Sequence, residues 1–383
     1  MLLAPDVTLG VGMIATMTSP RPRVAIDAHT IGRRATGNET YVRGLISGLA
    51  PRDDIDVVAL VDGSAEDSAS LGVPPTELAH HGPVMRLLRD LAGPRRQWSA
   101  NLLHVQYVRP PWCDVGVVCT VHDISFEHFP EMFTRRAVAR MRLTIPWSAR
   151  HSSMVLTGSQ HSREDLLDRY SLDADRVRVT AYAADPWFRP QTPDQVNSVR
   201  LRLGLPPEYI LCVGNLQPRK NLPRLVEAYA RLPADRPALV IVGQRAWLDD
   251  PLFASVRELR LEGETFLTGY VDAADLPAVY AGATAFAYPS LFEGFGLPVL
   301  EAMACGAPTL ASWSSSIPEV AGDAALLVDP TDVGAIADGL TKLIDDNALR
   351  SRLSAAGIQR AAQFSWQRCA QETVEAYREA LER

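Results

Sequence analysis

Residues 286–306 read FAYPSLFEGFGLPVLEAMACG, and the architecture of the chain can be built from them. Ala285-Phe286-Ala287-Tyr288 is a short apolar run of strand type that ends at Pro289. A loop with Gly294 and Gly296 follows, and the spacing then predicts a helix over 298–305. Pro298 suits a first helical turn, where its missing N–H has no partner to lose. Gly306 with Pro308 behind it is a stop signal. Strand, glycine loop and helix start, in that order, put free N–H groups and the positive end of a helix at one point, which suits an anion. Glu293 and Glu301 frame that point. Carboxylates repel phosphate but accept hydrogen bonds from hydroxyls, so the pair fits a ligand with hydroxyls on both sides of a diphosphate. A loop that needs glycine for positive φ, beside a helix with acidic residues near its start, is the open alternative.

Upstream lies a matching unit. Tyr209-Ile210-Leu211-Cys212-Val213 is a strand, followed by Gly214-Asn215-Leu216-Gln217-Pro218-Arg219-Lys220-Asn221 and a helix to Arg231. Further strands fall at 238–243 and 265–268, with a helix over 275–281. Arg219 and Lys220 stand between strand and helix, at the edge where open α/β sheets take ligands. Arginine as a fork and lysine as a point charge suit a diphosphate, and they would stabilise charge growing on a departing nucleoside diphosphate. A solvated basic turn is the other reading. Only Lys220 and Lys342 are lysines among 38 basic residues, so position 220 stands out against an arginine background, although chance produces such a bias too. Downstream come short strands at 308–311 and 325–328, helices over 332–344 and 348–362, and, after Phe364-Ser365-Trp366, a last helix through Arg383.

The first half repeats the pattern. Strands are expected at 23–27, 56–61, 102–106, 115–121, 154–157 and 176–180; residues 62–99 give no clear element. A helix over 38–49 has Thr36 and Glu39 at capping-box spacing. Gly37 at its mouth either lets a ligand approach the backbone or is a plain turn glycine. The buried strand 115–121 ends in His122-Asp123, again at a ligand edge; Asp123 would fix either the loop or the imidazole. A polar pair satisfied at a strand end is the alternative. Residues 134–150 form a basic segment, helical up to Pro146, that suits an anionic membrane surface or simply a solvated face. Ser159 to Ser162 cap a helix through Tyr170.

A chain of 383 residues favours two domains. Residues 1–20 read as a disordered extension; Gly10-Val11-Gly12-Met13-Ile14-Ala15 inside it matches GxGxxA but follows no strand. The domains run over 21–184 and 208–364, with 185–207 as a Pro-rich linker and 365–383 as a helix that crosses back to the first domain. Apolar content of 47% and charged content of 22% describe an ordinary soluble protein. A net charge of −7 argues against a nucleic-acid partner. Cys119, Cys212 and Cys305 sit in apolar runs, as buried thiols in a reducing compartment do. No run is long enough to span a bilayer, and no metal-ligand spacing is present.

With these residues in place, the chain resembles the retaining glycosyltransferases of family 4, which have the GT-B fold: α/β, two facing Rossmann-like domains with a cleft between them. The likeness is carried by Gly214 to Asn221, by Gly269-Tyr270-Val271, and by Glu293-Gly294-Phe295-Gly296-Leu297-Pro298 with Glu301. It is looser around Gly37 and His122-Asp123. Where many members place an arginine directly after the first of these glycines, this chain has Asn215, so Arg219 and Lys220 stand as the equivalents, as in a subgroup with a P-R-K-N turn. The resemblance implies a donor diphosphate on Arg219 and Lys220, ribose on Glu301 and the transferred sugar on Glu293. It implies contacts to the donor from Gly214, Ser290 and the backbone of Gly294, Phe295, Gly296 and Leu297. The base would meet Tyr270 and Val271, and His122, with Asp123 beside it, would lie near the reacting centre. It implies no cofactor or metal, a GDP-mannose donor ahead of a UDP-sugar, and a glycan, lipid-linked or small-molecule acceptor. The place would be the cytoplasm, with peripheral contact at the inner face of the membrane through residues 134–150. An NAD-dependent oxidoreductase would need a well-placed GxGxxA, and a non-catalytic sugar-nucleotide binder would lack some of Glu293, Arg219, Lys220 and His122.

Overall fold

The computed structural model describes residues 21–32, 37–61, 71–78, 82–245 and 250–383; the readings of residues 1–20 and of Thr36 fall outside them. The first seven strands, β1 (Arg23–Asp27), β2 (Asp56–Val61), β3 (Pro75–Glu77), β4 (Leu102–Gln106), β5 (Gly116–Thr120), β6 (Met154–Thr157) and β7 (Val177–Val179), form one parallel sheet in the order β3-β2-β1-β4-β5-β6-β7. The next six, β8 (Tyr209–Val213), β9 (Ala238–Val242), β10 (Thr265–Gly269), β11 (Ala285–Tyr288), β12 (Thr309–Ser312) and β13 (Leu326–Val328), form a second in the order β10-β9-β8-β11-β12-β13. The apolar runs make this inevitable: β4, β6, β11 and β12 are buried at every residue, which only a parallel sheet covered by helices on both faces achieves. Strand order reverses between β1 and β4 and between β8 and β11. Ligands of open α/β sheets bind at such switch points, outside the carboxyl ends of the strands. This is the expected pair of Rossmann-like domains in a GT-B arrangement.

One apolar cluster joins the domains, running from Val24, Tyr41 and Leu45 through Tyr182, Phe188, Phe295 and Trp366 to Tyr209, Phe286 and Leu300. The last helix, Trp366–Glu382, lies against the Gly37–Leu49 helix and against β5 and β6. Gly44 and Gly48 make the notch for it: a Cβ on Gly44 would lie 2.0 Å from the Trp366 ring, and one on Gly48 2.3 Å from the Trp366 carbonyl oxygen. Trp366 donates to Asp185 at 2.8 Å, and Tyr377 bonds His104 at 2.6 Å.

Element ends agree with the sequence to within a few residues, but the basic helix does not stop at Pro146. It runs Arg135–His151, with Pro146 inside it. The carbonyl left without its partner by the proline is that of Arg142, an exposed residue where solvent can take the bond. Ile145, Pro146, Ser148 and Ala149 are buried, so packing on the sheet outweighs the proline. Residues 82–98, which gave no clear element, hold a π-helical turn at Arg86–Asp90 and a short helix at Pro94–Trp98. The helices Asp250–Glu258 and Ile317–Ala321 were not anticipated.

Candidate active site

The turn after β8 and the loop after β11 meet at the switch point of the second sheet. Pro218–Lys220 forms a single 3₁₀ turn that ends on Asn221 at φ +59°. Asn221 Nδ2 donates to the carbonyls of Pro289 at 3.0 Å and Pro330 at 2.6 Å, which pins the basic turn to the glutamate loop. Gly214, at φ +149°, leaves room for the lysine stem: a Cβ there would sit 3.2 Å from Lys220 Cε. Leu291 N donates to the Arg219 carbonyl at 2.9 Å, and the Ser290 hydroxyl lies 3.0 Å from the same oxygen.

Glu293 is the centre of this assembly. It is 6% exposed. Its Oε2 takes a bond of 2.5 Å from Arg219 Nη1, and its Oε1 takes bonds from Lys220 Nζ at 2.7 Å, Ser290 Oγ at 2.5 Å and Tyr288 OH at 2.9 Å. Lys220 also donates to the Tyr288 hydroxyl. Burial pushes the Glu293 carboxyl up, but Arg219 and Lys220 outweigh it and bring it down to about 2. Burial, with Arg219 nearby, lowers Lys220 despite Glu293. The backbone of Glu293 is held by two serines that the sequence reading passed over: Ser315 Oγ accepts from its N–H at 2.8 Å, and Ser316 Oγ donates to its carbonyl at 2.9 Å. The run Ser314-Ser315-Ser316, just beyond the carboxyl end of β12, was the available signal.

Gly296, at φ +103°, turns the chain into the helix Leu297–Ala304. Phe295 and Leu297 are buried beside it. On that helix Glu301 accepts from Tyr280 OH at 2.8 Å. Burial, aided by the neighbouring Asp185 carboxylate, pushes Glu301 up to about 7. Tyr270 is 47% exposed and Val271 buried, at the end of β10. Next to them a pocket of about 400 Å³ is lined by Trp187, Arg189 and Gln191 on one side and Ala273, Ala274 and Pro277 on the other.

The first domain brings His122 to the same place. A Cβ on Gly294 would lie 2.2 Å from the His122 carbonyl oxygen, so the glutamate loop rests directly on the end of β5. The His122 ring is buried, with Nδ1 2.6 Å from Tyr182 OH and Nε2 2.7 Å from Gln106 Oε1. Burial brings its pKa down to about 4, so the imidazole is neutral at pH 7. Of the two roles open to Asp123, the structure has the first: its Oδ1 accepts from Ser125 N at 2.9 Å and Ser125 Oγ at 2.7 Å, holding the loop. Gly37 stands apart, exposed at the start of its helix, with nothing within 4 Å of an added Cβ. Among the described residues no three His, Cys, Asp or Glu side chains converge as a metal site.

The arrangement thus sets a buried lysine and a largely buried arginine on one carboxylate, with the backbone of His122 against the same loop and its ring turned to Tyr182 and Gln106. Residues 196–360 match the model of the glycosyl transferases group 1, and residues 35–186 that of Glycosyltransferase Family 4. The O-antigen chain mannosyltransferase B of Escherichia coli is 34% identical over 368 residues, which is 90% of this chain and 96% of that one. The chain belongs to glycosyltransferase family 4. As a family-4 glycosyltransferase it is also 32% identical over 231 residues to the serotype-specific mannosyltransferase WbdA of Escherichia coli, matching 58% of this chain and 28% of that protein. It shares its fold with the sucrose-phosphate synthase of Thermosynechococcus elongatus (TM-score 0.76, 22% identity, 94% of this chain and 98% of that one). A second structure of the same fold is Anabaena HepE in complex with UDP and glucose (TM-score 0.73, 19% identity, 94% and 99%).

Proposed function

We propose that this glycosyltransferase moves mannose from GDP-mannose to an acceptor hydroxyl with retention of configuration. The observation that carries the reading is the convergence of Arg219 and Lys220 on Glu293 beside the start of the Leu297–Ala304 helix. In the proposed complex the diphosphate draws on both cations, and Glu293 turns from bridging them to gripping the sugar hydroxyls. Gly214, Ser290 and the backbone of Gly294 to Leu297 line the donor. Glu301 accepts from the ribose diol. The base lies against Tyr270 and Val271, and the pocket with Trp187 and Arg189 beyond Glu301 offers it a ring to stack on and a guanidinium fork. Support for mannose comes from the relatives named as mannosyltransferases.

In the reaction the bond from the sugar's anomeric carbon to phosphate breaks, and the acceptor oxygen bonds that carbon on the same face. The acceptor proton passes to the departing phosphate oxygen, whose charge Arg219 and Lys220 stabilise. Both ring nitrogens of neutral His122 are engaged in the free protein, so to bond the sugar its Nε2 would have to exchange Gln106 Oε1 for a sugar hydroxyl. Gly37 and Asp123 belong to the acceptor side of the cleft. The acceptor is a glycan, a lipid-linked sugar or a small molecule, met in the cytoplasm at the inner membrane face, with the Arg135–His151 helix as the membrane contact.

A donor panel tests this. GDP-mannose is expected to give GDP release, cut at least a hundredfold in Glu293→Ala and Lys220→Ala, by analogy with the loss of a charged transition-state contact. Turnover of a UDP-sugar in preference would replace the donor assignment, and tight NAD binding without sugar-nucleotide binding would defeat the reading.

A further inference from the structure

The loop that carries Glu293 belongs to the second sheet, yet its tip is gripped by the first domain. The Phe292 ring is 6% exposed. It stacks on His128 at 5.1 Å and 25°, and meets Phe129 at 6.1 Å and His161 at 5.6 Å edge-on. On the other side of Glu293, the Gly294 carbonyl accepts from Ser159 Oγ at 2.7 Å and Ser162 Oγ at 3.1 Å. Both residues adjoining Glu293 are therefore fixed by the opposite domain. A second bridge lies nearby. Glu319 accepts from the N–H groups of Gln160, at 2.8 and 2.9 Å, and of His161, at 3.3 Å. Those N–H groups open the Gln160–Tyr170 helix, where a carboxylate is favoured.

We propose that Phe292 in its seat of His128, Phe129 and His161, together with Glu319 on the helix start, is a clasp that keeps the cleft closed, with the already ordered Glu293 loop held against the end of β5. Phe292, His161 and Glu319 are positioning residues. They reach no donor group themselves; they fix the backbone on either side of Glu293 and hold the two domains at the separation that brings His122 to Gly294. With the domains apart, the Phe292 ring would lose its apolar seat and Gly294 its two hydroxyl partners, while Ser315 and Ser316 still held the Glu293 backbone within the second domain. What closure sets is the distance between the donor loop and the end of β5 that carries His122, where Gly294 rests on the His122 carbonyl. The inference rests on the role proposed above for Glu293.

The clasp predicts a split between binding and turnover. Misplacing a reacting group by about 1 Å costs on the order of a hundredfold in rate, so Phe292→Ala should lower kcat about 10- to 100-fold. Glu293, Arg219, Lys220 and Glu301 are held by bonds within the second domain, so the Kd for the sugar nucleotide should stay within about threefold, a change worth under 1 kcal/mol. Phe292→Leu, which keeps an apolar plug, should recover most of kcat. His161→Ala, on the opposite domain, should behave as Phe292→Ala does, and the double variant should be no worse than either single one. Small-angle scattering of the ligand-free protein supplies an arm that needs no substrate: Phe292→Ala and Glu319→Gln should both enlarge the radius of gyration. Loss of donor affinity in step with kcat, additive kcat losses in the double variant, or an unchanged radius in both variants would overturn the clasp. If Phe292→Ala does not fold, His161→Ala and Glu319→Gln decide. A wild-type protein inactive with every sugar nucleotide defeats the donor reading instead, and leaves the scattering result to judge closure.

Discussion

Glu293 has two employments that compete. In the free protein it neutralises buried Lys220 and largely buried Arg219, and in the proposed complex those cations face a diphosphate. Glu293→Gln removes the neutralising charge and leaves Arg219 and Lys220 buried with each other. Breaking a buried ion pair from one side costs about 3–5 kcal/mol, so urea unfolding should show a loss of that order. Added GDP should restore more stability in this variant than in the wild type, because an anion binding the folded state supplies the missing charge. A smaller shift in the variant would mean that the cations do not receive the diphosphate. The sign with pH follows from the depressed carboxyl of Glu293. Its contribution is fully present above the ordinary carboxylate range and is lost as pH falls toward about 2. Glu301 runs the other way. Its carboxyl, raised to about 7, weakens the fold as pH climbs from 4.5 to that value, while only the ionised form accepts two ribose hydroxyl bonds. Sugar-nucleotide affinity measured by calorimetry should therefore fall as pH drops below about 7, and Glu301→Gln should flatten the profile. Both glutamates were legible because they lie in one contiguous stretch. The ion pairing of Glu293 was not: Arg219 and Lys220 stood out as cations, but that they close on Glu293, and that Ser315 holds its backbone, depends on loops after other strands that no local spacing ties together.

Helices and strands were read with unequal success, for physical reasons. Strands such as Gly116–Thr120 and Ala238–Val242 are unbroken apolar runs bounded by polar residues or glycine, and they were placed to within a residue or two. Pro146 misled because a local rule met a stronger tertiary demand. The crossing of the last helix was expected, but its mechanism was invisible, since Gly44 and Gly48 look like poor helix residues until Trp366 is seated on them. That fit can be tested. Gly44→Ala would raise helix propensity by about 1 kcal/mol, yet it should destabilise the protein, because overpacking a filled notch costs roughly 1–3 kcal/mol. Trp366→Ala should cost about 3–5 kcal/mol. A Gly44→Ala protein more stable than wild type by thermal or urea unfolding would show that the notch is not filled.

The charge of the whole molecule hides its distribution. The chain carries −7, yet one outer layer of the first domain is basic. Leu87, Leu91 and Trp98 pack on the same side of the first sheet as Met141, Ile145 and Ala149, so residues 82–98 and the Arg135–His151 helix form a single layer. Its outer side exposes Arg89, Arg95, Arg96, Arg135, Arg136, Arg140 and Arg142, of which Arg142 is shared with Glu127 and Arg96 with Asp114. The same two segments expose the apolar side chains Val84, Met85, Leu88 and Leu143. Cations around protruding apolar groups match an anionic bilayer, which takes the charge at its headgroups and the side chains just beneath them. Among the described residues no helix is long and apolar enough to cross a membrane, so any contact of this layer would be peripheral. Each arginine near an anionic surface is worth about 1 kcal/mol. Reversing Arg135, Arg136 and Arg140 to glutamate should therefore weaken adsorption to phosphatidylserine-containing vesicles by at least a hundredfold in sedimentation, while transfer to a short-chain acceptor in solution stays unchanged. Adsorption of the wild type should fade as salt rises, because screening shortens the reach of surface charges to about 3 Å at 1 M. Equal adsorption of wild type and triple variant, or binding to neutral vesicles as strong as to anionic ones, would remove the membrane from the proposal and leave the basic layer a solvated face.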